Sequence, residues 1–174
     1  NGEEMIAAPL LPGFGRAPTE NDIGAKLYDK MKMWQYPQLE VASFDVKEMS
    51  DSYLVTVVFK PIDGKAQVIV KYNIYGDGSI AGIESMKDAG GLSKCPMLFR
   101  FGMEMGMKGD FSNLDFYGKG PWENYCDRNS SATVGHYEQT VNEQYHYGYV
   151  RPQKSGTKTE LKWFKVINGN GTGL

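Results

Sequence analysis

The chain has 174 residues, 41% hydrophobic and 23% charged, with a formal net charge of −2. That is about one domain with room for a buried core, and the balanced charge excludes a basic nucleic-acid-binding stripe. No apolar run approaches the roughly 18 residues that a membrane helix needs, and the opening NGEEMIAAPLLPG lacks the basic and apolar regions of a signal peptide.

The 21 glycines and 11 tyrosines combine many turns with many aromatic rings, as in an all-β domain. Residues 1–22 carry Pro9, Pro12, Gly13, Gly15 and Pro18, which predict an irregular lead-in. Asn21 and Asp22 are placed to cap one short helix. Its apolar positions Ile23, Leu27, Met31 and Trp34 recur at helical spacing until Pro37 stops the pattern. Residues 1–40 therefore read as a lead-in with one short N-terminal helix, within a single domain over 1–174.

From Val41 the period changes to two. Residues 41–49, 53–60, 67–75 and 79–86 read as strands, with Asp63-Gly64 and Gly76-Asp77-Gly78 as turns. Residues 88–93 form a glycine-containing connector. Further extended stretches are predicted at 98–107, 114–118, 131–139, 149–153 and 157–166. The tail NGNGTGL reads as a turn leading into nothing, as at the end of a fragment.

Chemistry-bearing residues are few. Cys95 and Cys126 fit no zinc spacing and are expected as free thiols, which leaves the compartment open between cytoplasm and periplasm. His136 and His146 have no partners at metal-binding spacing; His136 reads as a strand residue with an outward ring. Glu123 and Asp127 crowd one loop, as paired-carboxylate chemistry would require. Beside Gly118, Gly120, Pro121 and Arg128, they read more simply as acceptors that clasp a tight turn. Tyr145, Tyr147 and Tyr149 alternate, and are expected on the core face of a strand. The alternative is a sugar-stacking surface, for which flat rings are suited. Trp122, in mid-loop after Pro121, is the tryptophan expected to be exposed.

Three blocks in order carry a family resemblance: PLLPGFGRAPTENDIG, then LFRFGMEM with YGKGPWENYCDR, then EQYHYGYVRPQKSGTKTELKW. Together they resemble the C-terminal small-chain domain of the β-galactosidases of glycoside hydrolase family 2. The resemblance implies an antiparallel supersandwich, similar to galactose mutarotase, that is incomplete here and leaves an edge liable to self-associate. It implies a parent enzyme that hydrolyses terminal β-D-galactosides such as lactose with retention, using two glutamates on a barrel absent from this chain. The chain is then a non-catalytic module whose partners are the remaining domains and the sugar. Neither nucleic acid nor membrane is expected, and a homo-oligomer is compatible. No cofactor is implied here; the magnesium and sodium ions common in the family sit on other domains. Arg16, Asn21, Asp22 and Gly24 are the implied site-shaping residues. Tyr117, Gly118, Gly120, Pro121, Glu123, Asn124, Tyr125, Asp127 and Arg128 form the structural motif. Lys119 replaces the family's usual arginine, a mild change for a solvated side chain. The alternative reading is a stand-alone galactose-binding or mutarotase-like module, against which the scarcity of histidine argues.

Overall fold

The computed structural model describes residues 4–149 and 155–174. The chain divides into two compact units. One comprises residues 11–16 and 22–104; the other holds residues 1–10, 17–21 and 105–174. In chain order the elements begin with strand β1 (Ile6–Pro12) and helices α1 (Glu20–Gly24) and α2 (Leu27–Gln35). Strands β2 (Glu40–Glu48), β3 (Ser52–Lys60), β4 (Ala66–Tyr75) and β5 (Ile80–Asp88) follow. The last four are β6 (Met103–Met107), β7 (Asn113–Gly120), β8 (Thr133–Thr140) and β9 (Trp163–Ile167). The architecture is the expected all-β one, made mostly of antiparallel sheets with few helical residues.

Residues 4–22 are more ordered than their prolines predict. β1 runs through Pro9 and ends on Pro12, paired with β6 in a two-stranded ribbon. The expected single helix is two. Gly24 ends α1, and Lys26 follows in the left-handed region at φ 54°. Ile23 is exposed instead of sharing the stripe of Met31 and Trp34. Of the predicted stripe on α2, Met31 and Trp34 are buried while Leu27 is exposed, and the helix ends at Gln35, two residues before Pro37.

The first unit is built on the sheet β2-β3-β4-β5, four antiparallel strands joined in sequence order. Its four strands match the four predicted from alternation within two residues at each end. Along β4, Ala66, Val68 and Val70 alternate into the core. With Phe59 and Ile62, Val68 and Val70 pack with Phe14, Met31 and Trp34, and each large apolar side chain so buried contributes about 1.5–3 kcal/mol. The β3–β4 turn takes three successive positive φ values at Ile62, Asp63 and Gly64. The β4–β5 turn is closed by Asp77, whose Oδ1 accepts from the Ser79 backbone N–H at 2.8 Å.

The second unit is built on the sheet β8-β7-β9. Three expectations are corrected here. The stretch 157–166 is strand only from Trp163, where β9 begins, because the Thr157 carbonyl and the Thr159 N–H bond Asn124 of the loop instead of a neighbouring strand. The tail does lead somewhere. Asn168 Oδ1 accepts from the backbone N–H of Asn170 and of Thr172, both at 3.0 Å, and folds the chain back. Leu174 and Val166 then exchange backbone hydrogen bonds. Within 98–107 only Met103–Met107 is strand. The extended stretch predicted at 149–153 lies, apart from Tyr149, outside the described residues.

Candidate functional site

The residues 117–128 form a clasp at the end of β7. The motif glycines are there because other groups come close. A Cβ on Gly118 would stand 2.8 Å from Leu161 Cα, and one on Gly120 would stand 2.9 Å from the Tyr137 ring. Beyond the Gly120–Pro121 peptide, which is cis, the loop is organised by Asn124, only 1% exposed. Its Nδ2 donates to the carbonyls of Lys119 and Trp122, both at 3.1 Å. Its Oδ1 accepts from the Thr159 N–H at 2.9 Å and from the Thr159 hydroxyl. Its backbone N–H donates to Thr157 O at 2.8 Å. Every polar group of this buried amide that could donate is used.

Glu123 is the second knot. Its Oε1 accepts from Arg128 Nη2 at 2.9 Å and from the Tyr149 hydroxyl. Its Oε2 accepts from the Gly156 N–H at 3.1 Å and from the Tyr125 hydroxyl at 3.4 Å. Burial alone would push this carboxyl up. The hydrogen bonds from Tyr149, Arg128 and Gly156 outweigh burial and hold it below the usual glutamate range. Arg128 is correspondingly held above its ordinary value, first by its hydrogen bond to Glu123. A group depressed in the folded state contributes stability above its unfolded pKa, about 4.3 for glutamate, and loses it as pH falls through the lower folded value. Denaturant titrations at descending pH should therefore show wild type losing its advantage over Glu123→Gln through the acid range below about pH 5. A pH-independent difference would contradict this.

Asp127, the other carboxylate of the sequence pair, is exposed, and Tyr125 and Arg128 pair by backbone across it. The structure thus joins Glu123 to Arg128 and does not join it to Asp127. Lys119 is not simply solvated: its Nζ lies 2.8 Å from Glu160 Oε1. Thr157, Thr159, Gly156 and Tyr149, which complete the clasp, carry no local signal that marks them as partners of residues 123 and 124.

The 16–24 segment is organised differently. Asp22 does not cap a helix; it sits within α1 and accepts two bonds from Arg16, at 2.6 and 3.1 Å. The Arg16 guanidinium also lies 4.9 Å from the Phe99 ring centroid. Asn21 is exposed, and a Cβ on Gly24 would meet nothing within 4 Å.

The tyrosine run is not a core strand. Residues Asn142–Gln144 form a single 3-10 turn, after which Tyr145 is 43% and Tyr147 70% exposed. They line a cleft of about 520 Å³ with Trp122, Arg128, Asn142 and Glu143. His146 is on the same cleft, whereas His136 sits on β8 with its Nε2 against Asp115 Oδ1. Among the described residues no three His, Cys, Asp or Glu side chains gather as a cation site. Cys95 and Cys126 are both free thiols. No helix among the described residues is long and apolar enough to cross a membrane.

The family model described as "Beta galactosidase small chain" matches residues 1–173. The chain belongs to the β-galactosidase small-chain family. It is 33% identical over 98% of its length to a β-galactosidase of Priestia megaterium. It is 31% identical over 99% of its length to one from Halalkalibacterium halodurans, and 32% identical over its full length to one from Streptococcus thermophilus. The chain spans 16% of the first relative and 17% of the other two. It thus corresponds to a minor part of each of these relatives.

Proposed function

We propose that the chain is a non-catalytic module of a β-galactosidase acting on terminal β-D-galactosides such as lactose, where it lines the active-site mouth and supports assembly with the remaining domains. One observation carries the reading. The motif's best acid–base candidate, Glu123, has both carboxylate oxygens engaged by Arg128, Tyr149, Tyr125 and Gly156. A general acid must hold a proton near working pH, and this carboxyl is held in the opposite direction. Catalytic glutamates then belong to the rest of the parent.

Arg16, Asn21, Asp22 and Gly24 are the residues we assign to the mouth. The doubly bonded Arg16–Asp22 pair fixes the segment at its base. Gly24, with open space around it, supplies a point where the backbone can turn as a sugar enters. The test is an assay of the 174-residue chain on a chromogenic β-galactoside. No turnover above the uncatalysed rate is expected, and robust turnover would overturn the module reading.

A further inference from the structure

We propose that the cleft between Trp122 and the Tyr145–Tyr147 pair is a saccharide-binding site, taking one or two pyranose rings. It uses none of the residues assigned to the mouth, so it extends the module reading without depending on it.

The first argument is the rings. Trp122 is 69% exposed and Tyr147 70% exposed. Large aromatic side chains grouped at the surface signal a binding site more often than chance exposure. These rings stand on ordered supports. The carbonyl of Trp122 itself accepts from Asn124 Nδ2 at 3.1 Å, so the backbone beneath the indole is held by the clasp. The Tyr147 hydroxyl donates to Asn142 Oδ1 at 2.6 Å. Its ring meets that of Tyr145 at 67°, with centroids 4.6 Å apart. Such pre-positioned rings lose little freedom when a ligand stacks on them.

The second argument is the rim. Glu143 lines the cleft, with Oε2 accepting from the Thr140 N–H at 2.6 Å and hydroxyl at 2.8 Å. Those bonds keep it an anionic acceptor. Arg128 and Lys158 supply cationic donors on the same cleft, and Gln144 an amide that Lys158 Nζ already touches at 2.6 Å. A pyranose has a C–H face that stacks on an aromatic ring, and a border of hydroxyls that both donate and accept. Rings with a border of carboxylate, guanidinium and amide match that pattern. A phosphate-rich ligand does not fit as well, because Glu123 and Glu143 lie beside the two cations. The volume of about 520 Å³ is ordinary for a small-molecule site.

The experiment is an NMR titration of the whole chain with two probes, lactose and cellobiose, following backbone amides and indole N–H signals. With at least one probe, the Trp122 indole and the amides of residues 142–149 should shift saturably while the buried Trp34 indole stays still. Trp122→Ala and Tyr147→Ala should each weaken the apparent Kd by about tenfold, with thermal melting unchanged because both rings are exposed. Absence of saturable shifts with both probes overturns the site. So does binding that survives both substitutions. So does a result in which the only effect of Trp122→Ala is to abolish self-association, which marks the rings as a protein contact. Turnover of a β-galactoside by the chain would overturn the module reading and leave this site standing; failure to bind does the reverse.

Discussion

Trp34→Ala should destabilise the unit that holds the four-stranded sheet by about 4 kcal/mol, the usual range for deleting a buried large aromatic. Trp34 is 1% exposed and sits with its ring edge-on to Phe14, centroids 5.9 Å apart. It packs in one cluster with Met31, Phe59, Val68 and Val70. Truncation would open a cavity there, and the close-packed strands around it cannot collapse to fill it. It would also remove the Nε1 donor that bonds Pro96 O at 2.8 Å. Trp34→Phe separates the two effects: it keeps much of the packing, and should cost about 1–2 kcal/mol for the lost donor and the smaller ring. Trp122→Ala is the matched control, expected within about 0.5 kcal/mol because its ring is solvent-facing. Urea denaturation followed by circular dichroism gives all three. A loss of less than about 1 kcal/mol for Trp34→Ala would show that the helix–sheet core does not hold this unit together.

Asn124→Ala should destabilise the other unit by about 3 kcal/mol. The substitution leaves the carbonyls of Lys119 and Trp122 and the N–H and hydroxyl of Thr159 without the partner they have now. Buried polar groups left unmatched cost more than the net value of the bonds they made. Asn124→Asp sharpens the argument. Aspartate can still accept from Thr159, but it cannot donate, and it would face two carbonyl oxygens with a negative charge. It should be at least as damaging as alanine. The readouts are the urea midpoint and the hydrogen-exchange protection of the Thr159 amide, which should fall first because that bond is lost directly. If Asn124→Asp were as stable as wild type, Asn124 would not be the organiser of the loop.

Glu123 and Asn124 show how far local sequence reaches. Both were legible as members of a tight polar loop, because the glycines and proline around them write that turn into the chain. Their partners were not legible. Tyr149, Gly156 and Thr159 lie 26, 33 and 35 residues downstream of the groups they bond, and no periodicity links residues that far apart. The same cause broke the strand predicted at 157–166. Its first half carries the β-branched Thr157 and Thr159, but the Thr157 carbonyl and the Thr159 N–H bond Asn124, and tertiary bonding overrides a propensity that spans only about 1 kcal/mol.

What the amino-acid order determined by itself is everything governed by near neighbours. The strands β2 to β5 follow from two-residue alternation and their turns from Asp-Gly and Gly-Asp-Gly. The buried face of α2 follows from the spacing of Met31 and Trp34. The family follows from the three motif blocks. The tertiary structure alone decided which groups meet. It tied Asp22 to Arg16 when the sequence allowed a helix cap. It engaged Glu123 with Arg128 and left Asp127 exposed. It turned Tyr145 and Tyr147 outward, where alternation had suggested a buried strand face. Alternation states that a residue can face a core; only the packed chain supplies, or withholds, something to cover it.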